Sequence, residues 1–309
     1  MSDKSILNST LFILPKHSFS WGQLKDEGLT VHPPYKGGNN IFLRILREIH
    51  FRMNIPYKMI WFKAIPKPYD NFFLFADLII PEYIEWLHEQ YPSAKYMMFY
   101  MNNCKADTCP DKFRFDYLKL WSGDVNDCQK YKINLAPKIL AYSRSWVVKK
   151  RTPVYDIFFV GKDKKGKRLN QLLDLESQFK KLGLNPYFHI VAGHRYDRYK
   201  NRHYKDFMPY EEVLSNLGKS KSILYLGYGS QECVTLRVQE SLIHKIKLVT
   251  DCGWLRQYDF YNPNNIFILG EDKLEDLPAF LNTPYVDVKT DMLDHIYIDE
   301  LLEEVIRLS

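Results

Sequence analysis

The sequence predicts an α/β protein of two domains, each built on a parallel sheet covered by helices. Three observations predict it. The chain has 309 residues, 46% of them hydrophobic, which is enough for two cores of ordinary size. Short apolar runs rich in β-branched and aromatic residues alternate with longer amphipathic ones, the pattern of strands and their covering helices. A short polar segment ending in proline, Lys149-Lys150-Arg151-Thr152-Pro153, separates an irregular first half from a more regular second half. The domains are therefore expected at residues 1–150 and 151–294, with 295–309 a C-terminal helix that packs back on the first domain.

In the first half, strands are expected at 10–14, 57–62, 72–76, 96–100 and 118–122, and helices at 81–89 and 124–131. A further helix is expected at 42–53. There Phe42, Ile45, Leu46, Ile49 and Met53 fall on one face, with Arg44, Arg47, Glu48 and Arg52 elsewhere. Such a stripe most often faces a core. Flanked by arginines and followed by Trp61 and Phe62, it also has the composition of a surface that docks on anionic lipid. In the second half, strands are expected at 154–160, 187–191, 222–226, 247–250 and 265–269. The helices between them are expected at 168–182, 210–217, 236–244 and 274–281, and 298–308 reads as a last amphipathic helix.

Charge and cysteine usage exclude several classes. The formal net charge is +6, the basic residues are interspersed with 37 acidic ones, and no long basic run or nucleic-acid motif occurs. The excess suits anionic ligands or an anionic membrane surface, and nucleic acid is not an expected partner. Residues 1–10 lack the layout of a signal peptide, and the most apolar run, 72–80, is short and broken by Asp77. The five cysteines form an odd set without disulfide spacing, so free thiols in a reducing cytoplasm are expected. Cys104, Cys109 and Cys128 fit no standard zinc spacing, and no metal is expected. Aromatic residues are abundant at 15%, which suits stacking on rings and equally suits ordinary cores.

Residues 224–250 hold the most informative pattern. A buried strand ends in a loop with Gly227 and Gly229, and a helix follows, whose first N–H groups form a natural phosphate cradle. Arg237 and Glu240 are three apart and share a helix face. An arginine neutralises a diphosphate and a carboxylate accepts ribose hydroxyls, so the pair suits a nucleotide. The alternative is a solvated ion pair on a helix surface. A second cluster runs from Gly161 and Lys162 through Lys164, Lys165 and Lys167 to Arg168, after the first strand of the second domain. It reads either as an anion-binding loop, with Lys162 and Lys165 preferred, or as an exposed solubilising one. In the first domain, Gly37 and Gly38 let the backbone approach a ligand, and the following Asn39 or Asn40 can cap the helix. Asn102 and Asn103, after a strand, and His32, in a proline-rich turn, are further candidates on that side, each also explicable as plain surface.

Glu232 and Glu240 stand in an E-x7-E relation, with Leu236 between them, Ser241 after the second, and a basic turn leading to Leu248-Val249-Thr250. This resembles the donor-site signature of retaining glycosyltransferases with the GT-B fold. The stretches Tyr155 to Gly161, Trp121 to Asp124 and Tyr258 to Ile266 are similar to segments of bacterial glycosyltransferase-like proteins of capsule and lipopolysaccharide synthesis. The resemblance implies two Rossmann-like domains facing a cleft. It also implies a nucleotide-sugar donor on the second domain and a glycan or lipid-linked acceptor on the first, at the inner face of the cell membrane. On that reading Gly161, Gly227, Gly229, Thr235, Arg237 and Glu240 bind the donor. Glu232 lies near the reacting sugar, and Lys162 and Lys165 stabilise the leaving diphosphate. Cys233 and Thr235 replace glycines of the family's pattern, which touches Glu232 more than Glu240.

Two other classes compete. Gly227-x-Gly229-x-x-Glu232 with Asp251 after the next strand has part of a dinucleotide fingerprint, but its third glycine is missing and it lies late in its domain. A binding protein without catalysis shares every feature named so far. The chain holds no Asp-x-Asp pair, the mark of the metal-dependent sugar-nucleotide fold, so the expected transfer uses neither metal nor organic cofactor.

Overall fold

Aromatic and β-branched runs form the strands of two separate parallel sheets. The structure is a computed structural model, and it describes residues 4–38, 40–104, 106–137, 141–163, 168–227, 234–288, 293 and 296–309. The chain divides into two compact units that meet in sequence at Ser145 and Trp146, and residues 295–309 belong to the first unit.

The first sheet contains β1 (Thr10–Ile13), β2 (Val31–His32), β3 (Asn71–Phe75), β4 (Lys95–Tyr100), β5 (Leu118–Ser122) and β6 (Asn134–Leu135). Their order is β2-β1-β3-β4-β5-β6, every pairing parallel. Helices α1 (Lys4–Asn8), α2 (Phe19–Asp26), α3 (Ile41–Arg52), α4 (Pro81–Gln90) and α5 (Val125–Tyr131) lie between or beside these strands in sequence. The second sheet contains β7 (Tyr155–Asp163), β8 (Pro186–Ala192), β9 (Tyr204–Lys205), β10 (Ser220–Tyr225), β11 (Lys247–Thr250) and β12 (Ile266–Ile268). It runs β12-β11-β10-β7-β8-β9, again all parallel. Its helices are α6 (Leu169–Lys181), α7 (Tyr210–Leu217), α8 (Leu236–His244) and α9 (Leu277–Asn282), and α10 (Ile298–Leu308) follows.

Each order reverses direction once, between β1 and β3 in the first sheet and between β7 and β10 in the second. At such a switch the connections leave to opposite sides and open a crevice at the carboxyl ends of the strands, where open α/β sheets hold their ligands.

Strand alternation sends Leu11, Ile13, Phe72 and Leu74 into one core of the first unit and Phe12, Phe73 and Phe75 into another on the opposite face. The second of these cores is completed by α10, through Ile298, Leu301, Leu302, Val305 and Ile306. Arg144 fixes that helix at its start. Its guanidinium lies 3.7 Å from the Tyr297 ring centroid and donates to Asp299 at 3.1 Å and Glu300 at 3.2 Å.

Four expectations need correction. Residues 57–62 are not a strand. Tyr57 adopts a left-handed conformation (φ 65°) and starts a 3-10 turn, Lys58–Trp61, and only Phe62 makes an isolated bridge, to Tyr35. The strand expected at 154–160 continues to Asp163, because β8 goes on pairing with it through Ala192, so Gly161 and Lys162 are strand residues. The helix expected at 274–281 is split into a 3-10 turn, Leu274–Asp276, and α9, whose first turn carries Pro278. The last concerns α3. Its apolar stripe does not face a core: Ile41 is 69% exposed and Phe42 71%, whereas Arg47 on the opposite face is 5% exposed.

Candidate functional site

At the switch of the second sheet, the end of β7 and the end of β10 are tied together by one side chain. Asp163, buried at the last position of β7, accepts from the backbone N–H of Arg168 at 2.8 Å and from the Tyr204 hydroxyl at 2.7 Å. That double anchor holds the Arg168 backbone at the start of α6, and burial beside Asp163 pushes the Tyr204 phenol up to about 12. The Arg168 guanidinium then donates to the Leu226 carbonyl and, at 3.3 Å, to the Gly227 carbonyl, just beyond β10. A cation therefore sits in the crevice between the two strands, beside the loop that leads to α8.

Gly227 accepts no side chain, since a Cβ there would lie 2.9 Å from the Cys252 sulfur. Its own N–H donates to Asp251 at 2.6 Å, so Gly227 shapes the loop rather than offering that N–H to a ligand. Thr235 is the N-cap residue of α8. Its extended backbone opens the helix, its hydroxyl makes no capping hydrogen bond, and the buried Oγ1 has no hydrogen-bond partner among the described residues. An orphaned hydroxyl at a helix start, where N–H groups point outward, is a feature an anionic or hydroxylated ligand satisfies.

Glu240 is completely buried, one turn further along α8. One carboxylate oxygen accepts from the Arg237 guanidinium and the other from the Tyr210 hydroxyl at 2.8 Å. Burial raises its pKa, and Arg237 and Tyr210 oppose the shift. The pair is not a solvated one: both carboxylate oxygens are engaged and Glu240 is wholly buried. The carboxylate instead fixes Arg237, which remains partly exposed. Tyr210, in contact with the Trp146 ring at 4.6 Å between centroids, completes the arrangement.

Of the other donor-side candidates, Lys162 is an exposed strand residue beside Gly161, paired with Val191. Lys165, Gly229 and Glu232 lie outside the described residues, as do Lys164, Lys167 and Cys233.

The first unit's switch, between β1 and β3, carries a small basic pocket of about 20 Å³. Lys16, His17, Gly38, Arg44, Arg47 and Leu78 are among its lining. Arg47 is held 4.7 Å over the Tyr35 ring and bonds Glu48 at 3.3 Å, while its Nε has no partner among the described residues. His17 Nε2 accepts from the Arg44 guanidinium at 3.3 Å, and burial together with that guanidinium lowers the imidazole's pKa. His32, at the end of β2, is buried and its Nδ1 has no hydrogen-bond partner among the described residues. Burial and Lys63 bring its pKa down to about 4. Gly37 and Gly38 take positive φ, 91° and 47°, and Asn40 caps α3 by accepting from Phe42 at 3.0 Å and Leu43 at 3.3 Å. Asn39 lies outside the described residues. Asn102 is exposed, and Asn103 is committed to Asp124, the α5 cap, at 3.0 Å. These two asparagines follow β4, the strand next to β3.

Sequence reasoning missed Asp163, Tyr204, Tyr210 and His17, and preferred Lys162 and Lys165 over Arg168. A buried acid at a strand end, two residues beyond a glycine, was the available signal for Asp163. The tyrosines are distant in sequence and carried none.

No family model and no curated protein matches the chain. Among solved structures, it is similar to the glycotransferase of kitacinnamycin, with 9% identity and a TM-score of 0.45, over 96% of this chain and 90% of that one. It is also similar to the glycosyltransferase SnogD from Streptomyces nogalater, with 10% identity and a TM-score of 0.37, over 97% of this chain and 99% of that one. At those scores the architecture rests on the strand order and pairing themselves. Two six-stranded parallel sheets, each with one switch, define an α/β chain of two Rossmann-like units. Among the described residues no group of three or more His, Cys, Asp or Glu side chains is placed to hold a metal ion, and no helix is long and apolar enough to cross a membrane.

Proposed function

We propose that the chain is a glycosyltransferase that moves a sugar from a nucleotide-sugar donor to a glycan or lipid-linked acceptor. The observation that carries the proposal is the Arg168 guanidinium held on the Leu226 and Gly227 carbonyls at the β7–β10 switch, with an orphaned Thr235 hydroxyl at the start of α8, the next helix in the chain. Cations and helix N–H groups suit a diphosphate, and the loop glycines allow close approach. When the bond from sugar to phosphate breaks, negative charge gathers on the departing nucleoside diphosphate, and a fixed cation beside it lowers the barrier.

The donor is assigned to Gly161, Gly227, Gly229, Thr235 and Arg237, with Glu240 acting through Arg237 as a positioning residue. Lys162 and Lys165 are assigned to the leaving diphosphate beside Arg168, and Glu232 to the neighbourhood of the sugar. Transfer is proposed to retain anomeric configuration, assisted by the leaving diphosphate, and to need no metal. The resemblance of Tyr155–Gly161, Trp121–Asp124 and Tyr258–Ile266 supports a role in capsule or lipopolysaccharide synthesis, in the cytoplasm at the inner face of the membrane. The first unit is assigned the acceptor, whose anionic group, if it has one, suits the basic pocket of Arg44 and Arg47.

A second reading rests on His17, an imidazole that lines the pocket at the switch of the first sheet. As a general base it would deprotonate the acceptor and give inversion. The anomer of the product, read by NMR, separates the two mechanisms.

The test is turnover with a panel of nucleotide sugars, beside a thermal-shift panel that includes nucleoside diphosphates and NAD. Lys162→Ala should cut turnover about a hundredfold with little change in donor affinity, the pattern of a group that acts mainly in the transition state. Protection by nucleotide sugars without turnover points to a binding protein. Protection by NAD alone overturns the proposal in favour of a dinucleotide site.

A further inference from the structure

Helix α3 is built inside out. Its inward side carries Arg44, Arg47 and Phe51, and Arg47 is the single fully buried residue of the helix. Its outward side carries Ile41, Phe42, Ile45, Leu46 and Ile49, and the next residue after the helix, Met53, is 68% exposed. The exposed apolar surface continues onto the 3-10 turn that follows, through Tyr57, Met59 and Ile60. Isolated exposed apolar residues need no explanation, but a contiguous patch on one helix and its neighbouring turn marks an interaction surface.

Charge identifies what covers it. Between residues 36 and 67 the sequence holds seven of the chain's 43 Lys and Arg, and one of its 37 Asp and Glu. The chain's whole excess of six positive charges is therefore carried by this stretch, and the remainder is neutral. Arg52 stands exposed at the end of the helix, and Lys36, Lys63 and Lys67 are exposed on the segments either side. The one acid, Glu48, is paired with Arg47 at 3.3 Å. Glu82, Glu85 and Glu89 line a groove beside the 3-10 turn, where Glu82 bonds Lys58, and they bound the patch on that side.

We propose that α3 and the 3-10 turn after it form a docking surface for an anionic lipid bilayer. The apolar face enters the boundary between headgroups and acyl chains while the flanking cations meet anionic headgroups, and the Lys and Arg stems reach outward to them. A helix of 12 residues, about 18 Å long, lies in the interface plane and does not span it. A second copy of the chain is the poorer occupant, since it would set the same positive stretch against itself. The proposal does not depend on the reaction assigned above, and its readout needs no turnover.

The experiment is co-sedimentation of the full chain with vesicles of phosphatidylcholine alone and of phosphatidylcholine with phosphatidylglycerol, at low and high salt. Binding should appear with the anionic vesicles and weaken with salt. Leu46→Glu with Ile49→Glu should weaken partitioning at least about tenfold with the melting temperature kept, because these side chains are exposed in the fold. Arg52→Glu with Lys63→Glu should also weaken it about tenfold, through headgroup attraction. Equal recovery in the supernatant with both vesicle types overturns the proposal. So does equal binding to both, or self-association without lipid that Leu46→Glu with Ile49→Glu abolishes.

Discussion

Helices α3 and α8 stand in comparable places, each beyond the carboxyl edge of a parallel sheet and each entered from a segment containing glycine. Their burial is opposite. α8 buries Val238, Gln239, Glu240, Ser241 and Leu242 and keeps a carboxylate wholly inside. α3 buries one arginine and turns its aliphatic residues outward. The ordinary rule puts apolar residues inside and charges outside, and here both helices break it in the part nearest a sheet switch. The cost of a buried ion is offset locally in each case, by Arg237 and Tyr210 around Glu240, and by Tyr35 and Glu48 around Arg47. Departures of that kind gather where a protein binds something, because elsewhere nothing maintains them.

The comparison breaks first, and hardest, at Arg237. Arg237→Ala leaves Glu240 buried without its cation and should cost about 3–5 kcal/mol in urea denaturation. Adding Glu240→Leu to that variant should restore much of the loss. An unchanged midpoint for Arg237→Ala would mean that the pair contributes nothing to the fold.

Next comes truncation of an aliphatic residue on each helix. Leu242→Ala, in the core side of α8, should cost about 2–4 kcal/mol. Leu46→Ala on α3 should fall within about 0.5 kcal/mol of the parent, as exposed positions do. Equal losses would show that α3 is packed in solution.

Acid gives a smaller and shared effect. His32 in the first unit and His244 in the second are both brought by burial from the ordinary 6.5 down to about 4, and a nearby lysine adds to each shift. A histidine held neutral in the fold and charged in the unfolded chain gives stability that is complete above 6.5 and is lost as pH falls towards 4. His32→Gln and His244→Gln should each flatten the fall in melting temperature between about pH 7 and 5. A parental slope in both variants would place the acid sensitivity elsewhere.

What the sequence made legible follows from how local each signal is. Five of the second sheet's six strands were readable, because they are short apolar runs set between longer helical ones; the two-residue β9, with no apolar run of its own, was not. Residues 57–62 misled, since a run rich in hydrophobic residues is the same string whether it is buried as a strand or exposed as a turn, and the left-handed Tyr57 is not encoded in periodicity. The strand β7 was read three residues short, because its polar end, Lys162 and Asp163, is held by β8 pairing rather than by its own apolarity. In the site, glycines and charges at the right edge of the sheet were visible from spacing. Which charge points into the crevice was not, for it depends on Asp163 and Tyr204, 41 residues apart. Helix α3 shows the same limit: its amphipathic period was plain, and which face turns inward was decided by Tyr35 and the first sheet.

The place of α10 has a consequence for the order in which this protein can be made. The core that it completes also contains Phe12, Phe73 and Phe99, yet its own residues come after the entire second unit. A chain emerging from the ribosome therefore finishes the second sheet while one face of the first still lacks its cover. At about 5–20 residues per second, the roughly 150 residues between Ser145 and Ile298 impose a wait on the order of ten to thirty seconds. During that interval the exposed aromatic face is the surface a nascent-chain chaperone would hold, and Arg144 waits with it for Asp299.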